Sequence, residues 1–492
     1  MCPMLVLPPS MVLAGAILAC AMPARAQRHI WTVPGTSGAT YHAVHWDAAT
    51  GTILATRGHR VVRIDPIHGD QQEVAEHRWE APHPDDEQPG PALSALAPGS
   101  DGALLLGSNI TPGQFREIMV YRCAGEGKAR VVQAIAGKAH DRRFQGDDRD
   151  ARNTGLDPMG LAAGPGGTVF VADFLNGRVH LLRPRPEAGA DAGGYSIEAI
   201  AGSGAPHPRP NQNPAAFDAA QEAGRHDALK VPLEPASIAV TSDGLVLVAD
   251  VLDRRVYRLA PRTAPPPAGW TLEVAAGTGW RGPGGEGDAD ARNTHLGTPL
   301  QLVAGTAGEI YLRTGTRIWE LAPCLDAEGQ RRWRSRRVCV LSRQVTAAPD
   351  GSAMTDLPSR FFEAHGGMAA GPWGGLFFTV PGEGIRYLSP PGDAALAERV
   401  QAYRQAGDAA RKQAIRDSLI RQRDEPAAKV LERPLRFLSR QAPFDAPAGD
   451  RPRLPEALRR KIGAFVMDPQ RFRFQAALAL EAIRADPPGP AP

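Results

Sequence analysis

Alternating apolar and polar residues recur along the chain in one short pattern that is found six times. The copies are HRVVRIDP (59–66), EIMVYRCA (117–124), GRVHLLRP (177–184), RRVYRLAP (254–261), TRIWELAP (316–323) and EGIRYLSP (383–390). Alternation of this kind predicts a half-buried strand, and the proline that ends most copies favours a turn after it. The six copies therefore predict six equivalent β-strands.

A second β-rich run precedes each copy and begins at a glycine. These runs are GTILAT from residue 51, GALLLG from 102, GTVFVAD from 167, GLVLVAD from 244, GEIYLR from 308 and GGLFFT from 374. Small apolar residues stand before them, and further strand patterns such as SIEAIAGSG (196–204) follow the prolines. Four strands per unit, with the glycines repeating every 51 to 77 residues, are typical of the blades of a β-propeller.

The two ends of the repeated region predict how the ring closes. The sixth unit stops at Pro390 without a fourth strand, while residues 29–38, HIWTVPGTSG, match the fourth-strand pattern. We therefore expect the N-terminal strand to complete blade six, which removes the free sheet edges of an open array. The predicted fold is mainly β, a six-bladed β-propeller over residues 27–391.

Two stretches in the middle of the chain resemble the NHL repeat. They are GDDRDARNTGLDPMGLAAGPGGTVFVADFLNGRV (146–179) and GDADARNTHLGTPLQLVAGTAGEIYLRTGTRI (287–318), the second with Arg313 in place of the terminal aspartate. Blade four keeps VADVLDRRV (248–256), so the specific signal spans about residues 135–325. NHL proteins are six-bladed propellers that mostly bind other macromolecules, and a minority are similar to lyases or lactonases with a metal in the central channel. The resemblance implies a binding protein first and a metal enzyme second.

Helix-forming residues replace the strand pattern after the ring, which predicts a small helical module over residues 392–492. Leu396, Val400 and Tyr403 follow helical spacing, Asp408 can cap the next helix, and Asp424 is expected to start another. A further helix is predicted from an apolar face formed by Leu454, Leu458, Ile462, Phe465 and Val466. The whole chain has a formal charge of +3, too balanced for a nucleic-acid-binding surface, whereas residues 393–486 hold 19 Lys/Arg and 13 Asp/Glu. We expect the helices to dock under the propeller with a basic face in solvent, or to contact a partner or a membrane surface.

An N-terminal apolar run predicts export. Residues 11–22, MVLAGAILACAM, precede Ala24-Arg25-Ala26, so we expect residues 1–26 to be a signal peptide that is cleaved before Gln27. The run also loosely resembles a lipoprotein cleavage site at Cys20, which would make the chain an envelope scaffold lipoprotein. No later segment is long and apolar enough to cross a membrane. The protein is therefore expected to be periplasmic or secreted.

Three cysteines remain after such cleavage, and none has the paired spacing of a zinc site. Cys324 and Cys339 lie 15 residues apart in two strand-like runs, which predicts a disulfide bond between the third and fourth strands of blade five. Cys123 is then left over. The alternative is that all three are thiols.

Acidic residues in the loops of one propeller face are candidate binding residues. The connections from fourth to first strand are long in four places, so they wall this face. Matching tight loops of two blades carry Asp173 with Asn176 and Asp250 with Asp253, which either fix the turn or contact a ligand. Two of the long loops place carboxylates at alternate positions, as calcium loops do, or else bond to themselves; these are Asp147, Asp148 and Asp150, and Asp288 and Asp290.

One residue per blade, at the start of the first strand, is expected to border the mouth of the channel. A histidine occupies this position in one of the six blades. Aligning the position that follows P of the P-x-G pattern gives His42, Ser94, Met159, Ala236, Leu300 and Gly366, with His365 one residue off. A catalytic zinc needs about three converging ligands, so we predict no catalytic metal, no cofactor beyond structural calcium, and a channel lined by small apolar residues. The leading hypothesis is an exported, non-enzymatic propeller that binds a protein or glycan on its long-loop face. The alternative is a metal-dependent enzyme of the lactonase or lyase type.

Overall fold

The computed structural model describes residues 28–76, 93–99, 102–108, 119–125, 131–138, 141–148, 150–185, 194–205, 226–262, 269–279, 287–305, 308–314, 317–326, 329, 331–340, 367–380, 382–390, 395–424 and 469–484. Within these ranges the chain forms six antiparallel sheets. The signal peptide, Cys20, His365 and the predicted helical face at 454–466 lie outside them.

The first strand, β1 (Ile30–Thr32), stands apart from the blades that follow it in sequence. The strands of the first three blades are β2 (Val44–Asp47), β3 (Thr52–Arg57), β4 (Arg60–Ile64) and β5 (Gln71–Glu76); β6 (Leu93–Pro98), β7 (Leu104–Ser108), β8 (Val120–Ala124) and β9 (Val131–Ala136); and β10 (Pro158–Ala163), β11 (Val169–Asp173), β12 (Arg178–Pro184) and β13 (Tyr195–Ala201).

The remaining three blades follow the same order, with one short extra strand, β14 (His226–Asp227), at the outer edge of blade four. Their strands are β15 (Pro235–Val240), β16 (Val246–Asp250), β17 (Arg255–Pro261) and β18 (Trp270–Ala276); β19 (Pro299–Ala304), β20 (Ile310–Thr314), β21 (Arg317–Leu325) and β22 (Arg331–Val340); and β23 (Met368–Ala370), β24 (Leu376–Val380) and β25 (Gly384–Leu388).

The N-terminal strand completes blade six. β1 pairs antiparallel with β25, with Ile30 opposite Leu388 and Thr32 opposite Arg386. Each innermost strand contacts the innermost strands of its two neighbouring blades, so the six blades form a closed ring. The predicted six-bladed propeller and its closure are confirmed.

Six clusters of buried apolar side chains hold the ring together, one in each space between neighbouring blades. The innermost strands need small residues because they approach each other closely. A Cβ atom on Gly160 would lie 2.8 Å from the Cα of Ser237 in the next blade. This contact explains the small apolar runs that precede the second strands.

Within the described ranges, three helices follow the ring: α1 (Ala395–Gln405), α2 (Ala409–Asp424) and α3 (Pro469–Arg484). Asp408 caps α2 by accepting a hydrogen bond from the N–H of Arg411 at 2.7 Å, as predicted. Asp424 is the last described residue of α2, and the further helix that the sequence predicts after it lies outside the described residues. None of the helices in the described ranges has the length and hydropathy needed to cross a membrane.

The helices pack on blades one and six, opposite the long loops. The ring of Phe474 on α3 lies 5.0 Å from that of Tyr387 and 6.0 Å from that of Phe377, measured between centroids. Gln470 Nε2 donates to the carbonyl of Gly51 at 3.0 Å, in the turn between the first two strands of blade one. The module therefore docks on the propeller underside.

The predicted disulfide bond is wrong. Cys324 lies opposite Arg332, next to the turn of the β21–β22 hairpin, while Cys339 lies opposite Ile318 at its far end. Residues 318 and 324 of β21 are six positions apart, about 20 Å along an extended strand. Both side chains are thiols, because antiparallel pairing brings together residues that are equally distant from the turn.

Candidate functional site

Asp173 fixes the tight loop that follows β11. Its carboxylate accepts hydrogen bonds from the backbone N–H of Asp157, from Asn176 Nδ2 and from His180 Nε2, each at 2.9 Å. Asp173 has no exposed surface. The structure places Asp173 and Asn176 in a turn-fixing role, because these bonds occupy both carboxylate oxygens inside the blade.

The matching loop of blade four is held by a different set of side chains. Asp250 accepts hydrogen bonds from the N–H of Glu234 at 2.7 Å and of Asp253 at 2.8 Å. Asp253 in turn accepts one from the hydroxyl of Tyr257. Burial raises the pKa of Tyr257 well above its usual value, so the hydroxyl stays a donor. Asp250 and Asp253 are both buried and serve the turn.

The first of the two acidic loops bonds to itself and to its own blade. Asp148 Oδ1 accepts the N–H of Asp150 at 2.8 Å, and Asp150 Oδ1 accepts the N–H of Arg152 at 3.1 Å. Asp147 Oδ1 accepts the N–H of Ala199 in the outer strand at 2.7 Å. In each of these three carboxylates, the Oδ1 atom therefore accepts a hydrogen bond from a backbone N–H group.

The second acidic loop repeats this geometry. Asp288 Oδ1 accepts the N–H of Asp290 at 2.9 Å, and Asp290 Oδ1 accepts the N–H of Arg292 at 3.0 Å. The Arg292 guanidinium holds the pKa of Asp290 below its usual value, just as Arg152 lowers the pKa of Asp150 to about 2. Across the described ranges, no three or more His, Cys, Asp and Glu side chains form a group that could hold a metal ion.

A cavity of about 370 Å³ occupies the centre of the ring. All six innermost strands contribute to its wall, mostly through Ala, Gly, Val, Leu, Ile and Met. Of the aligned mouth positions, His42, Met159, Ala236 and Leu300 line it. The latter three are bulge residues at the start of their strands, directly after the long loops, so this end of the cavity faces those loops. Gly366 and His365 lie outside the described residues, as does the side chain of Ser94.

Blade five breaks the small-residue pattern of the channel. Directly after the bulges, the register pairs Ala95 with Gly107, Gly160 with Ala172, Ser237 with Ala249 and Gln301 with Arg313. In blades one and six, backbone hydrogen bonds place Ala43 opposite Thr56 and Gly367 opposite Thr379. The side chains of five of these six pairs are small, whereas the blade-five pair consists of the amide side chain of Gln301 and the guanidinium side chain of Arg313.

Arg313 lies on the cavity wall, which corrects the sequence alignment by one residue. Pro299 pairs with Thr314, as Pro158 pairs with Asp173, so Thr314 stands at the position of the aspartate. Arg313 is 2% exposed and lines the cavity. Burial lowers its pKa to about 10, so it is still protonated at neutral pH. The sequence alignment placed Arg313 at the position of Asp173, so it did not identify Arg313 as a residue of the channel wall.

Two histidines of blade one also lie on the cavity wall. Burial lowers the pKa of both His42 and His45, so both imidazoles are neutral at neutral pH. The part of the wall that the structure describes contains no Asp, Glu or Cys. Since a catalytic zinc takes about three protein ligands, the residues present there do not fit such a metal.

No protein-family profile and no curated protein matches the chain. Among solved structures, a gluconolactonase from Xanthomonas campestris is 13% identical, with 76% of this chain and 96% of that chain covered and a TM-score of 0.42. An auxiliary nutrient-binding protein from Bacteroides ovatus is 10% identical (74% and 77% covered, TM-score 0.41). Virginiamycin B lyase from Staphylococcus aureus is also 10% identical (74% and 99% covered, TM-score 0.37). These similarities concern the propeller fold and carry no functional assignment.

Proposed function

We propose that the chain is an exported, non-enzymatic propeller of the NHL type that binds a partner on its long-loop face, with one group of the partner inserted into the central channel. The observation that supports this function is the central cavity. Its volume of about 370 Å³ lies at the lower end of the usual range for ligand pockets, roughly 300–1,000 Å³. One side chain or one small molecule fits such a volume.

The cavity wall favours a protein partner over a glycan. Sugar hydroxyls need several hydrogen-bonding groups when they are buried. The wall is mostly apolar, and Ser237 Oγ already accepts the N–H of Leu302 at 3.0 Å. A wall of this composition suits an apolar group with few polar atoms.

The donor set of the wall favours binding over metal-dependent hydrolysis. Two neutral imidazoles without a carboxylate do not make the three-ligand site that a lactonase or lyase mechanism requires. We expect no turnover of a panel of lactones by the purified protein, with or without added zinc, manganese or calcium. Metal-dependent turnover that is lost in His42→Ala would favour the enzyme instead.

Blocking the channel tests the binding function directly. Ala236 is a buried mouth residue, so Ala236→Trp is expected to fill the entrance and to abolish binding to peptide and oligosaccharide arrays. Leu325 is 72% exposed and does not line the cavity, so Leu325→Trp is the matched control and should bind as the parent does. Equal binding by both variants would place the partner elsewhere.

We also propose that residues 1–26 are removed on export. Cleavage before Gln27 keeps Arg28, whose Nη2 lies 2.8 Å from Glu320 Oε2 in a mostly buried ion pair. The mature N-terminal sequence, read from protein recovered from the cell envelope, tests this proposal. A lipid-modified N-terminus at Cys20 and globomycin-sensitive processing would support the lipoprotein alternative.

A further inference from the structure

We propose that the central channel binds an organic monocarboxylate, with the Arg313 guanidinium holding the carboxylate and Gln301 bonding to a polar atom beside it. This inference rests on the proposed function, because it names the chemical class of the group that enters the same channel. Arg313 and Gln301 lie opposite each other on β20 and β19, and both line the cavity.

The position of Arg313 shows that the residue is not needed to build a blade. The equivalent residues of the other five blades are Thr56, Gly107, Ala172, Ala249 and Thr379. Alternation along β20 puts Arg313 on the same sheet face as Tyr311, which packs between blades five and six. The guanidinium thus reaches the cavity through the space between these blades.

The charge of the cavity wall selects an anion. No Asp or Glu is among the residues described as lining the cavity, whereas Arg313 is charged at neutral pH. The attraction between opposite charges is stronger in a buried site than in water. A guanidinium on a wall without described carboxylates therefore favours an anionic ligand over a neutral or cationic one.

One negative charge matches the wall better than two. Burial lowers the pKa of His42 and His45, so among the described wall residues Arg313 carries the positive charge near pH 7. A guanidinium presents a planar pair of N–H donors that fits the two oxygens of a carboxylate. A phosphate dianion would leave one charge without a partner in the described wall.

Gln301 favours a ligand that has a hydrogen-bond donor beside the carboxylate. Its Oε1 atom is buried and has no hydrogen-bond partner. A buried acceptor of this kind is satisfied by a hydroxyl or an amide N–H. A 2-hydroxy acid and the carboxyl terminus of a peptide both carry a donor beside the carboxylate, with an apolar body that suits the rest of the wall.

The charge requirement is tested on the unaltered protein by comparing acids with their neutral amides. The probes are 2-hydroxy-4-methylpentanoate and its amide, the peptide acetyl-Ala-Ala-Leu with a free or an amidated carboxyl terminus, and inorganic phosphate, each measured by calorimetric titration near pH 7. We expect at least one of the two acids to bind at least tenfold more tightly than its amide and than phosphate. The two acids distinguish a free small acid from a peptide terminus.

Variants assign the effect to Arg313. Arg313→Met should lower the affinity for the preferred acid at least tenfold and leave the amide unchanged, and Arg313→Lys should give an intermediate loss. Arg255 is also buried, but it donates to the carbonyl of Thr278 at 3.0 Å and does not line the cavity. Arg255→Met is therefore the control for losing a buried guanidinium, with folding of each variant checked by its melting temperature.

Each result of these titrations decides between the two proposals. Equal affinity for acid and amide, or tighter binding of phosphate, overturns the carboxylate inference and leaves the binding function standing. Absence of binding by every probe overturns the inference as well; the binding function then fails only if Ala236→Trp also leaves array binding unchanged. If Arg313→Met does not fold, the acid-to-amide comparison still gives the answer.

Discussion

The Asp173 Oδ2 atom lies 2.9 Å from His180 Nε2, and neither side chain has any exposed surface. The same carboxylate also accepts bonds from the backbone of Asp157 and from Asn176. One buried side chain on the second strand of blade three thus connects the residue before the first strand, the third strand, and the loop between the second and third strands.

Replacing Asp173 should destabilise the ring far more than replacing an exposed aspartate. Asp173→Ala leaves several buried donors without an acceptor, and we expect the free energy of unfolding to fall by about 4 kcal/mol. Asp147 is exposed and accepts one hydrogen bond, so Asp147→Ala should cost about 1 kcal/mol or less. Chemical denaturation measures both, and similar losses would contradict the structural role of Asp173.

Asp157 should make the stability of the protein fall as the pH rises from about 4 to 6. Burial, reinforced by the charge of Asp173 and opposed by Arg142, raises the pKa of Asp157 to about 6. The folded state then holds the proton more tightly than the unfolded state, so the destabilisation is complete above pH 6 and disappears below pH 4.

The test is the pH dependence of the free energy of unfolding in Asp157→Asn. The variant should be more stable than the parent at pH 7.5, by up to about 3 kcal/mol at about 1.4 kcal/mol per pKa unit, and this advantage should vanish near pH 4. A loss of stability at pH 7.5 would mean that attraction to Arg142 outweighs burial.

The repeated strands made the six-bladed ring predictable from the sequence. Which residues line the channel depends instead on how the strands of each blade pair, and the sequence does not show this pairing. Six alternating copies and the unpaired run at 29–38 indicated six blades and the closing strand, because alternation directly reports which strands are half-buried. Whether Arg313 or Thr314 matches Asp173 depends on the bulge at Leu300. A bulge shifts the strand pairing by one residue, and the residue types alone do not reveal where it lies.

The cysteine pairing failed for a related reason. β21 and β22 contain 9 and 10 residues, so their hairpin is long and a pair of cysteines can share it without facing each other. Sequence separation alone does not reveal where the turn lies. The acidic loops were also ambiguous, because carboxylates at alternate positions suit calcium and backbone N–H groups equally well.

Cys324 and Cys339 should behave as two thiols of very different reactivity. Cys324 is half-buried, whereas Cys339 is fully buried, and burial raises the pKa of its thiol to about 12. We expect a thiol reagent to label Cys324 but not Cys339 in the native protein, and both after unfolding without reductant. Peptide mapping by mass spectrometry identifies the sites, and a disulfide-linked peptide containing both would contradict the structure.

Removal of the closing strand should open the ring. Without residues 27–33, β25 keeps β24 but loses its outer hydrogen-bonded neighbour, and blade six exposes an unpaired edge. We expect a lower melting temperature and concentration-dependent aggregation, measured by light scattering. Ile30→Thr keeps the backbone pairing and removes only part of a half-buried side chain, so it should scatter light as the parent does. A truncated protein that stays soluble and melts like the parent would contradict the closure.

The pairing of Ile30 with Leu388 also orders events during synthesis. The closing strand leaves the ribosome about 360 residues before its partner, so the ring cannot be completed until the sixth blade has been made. Until then every finished blade stands in an open row with an exposed edge. Such a long-range pairing is expected to form slowly, because the long loop between the two strands must close before their contacts can form.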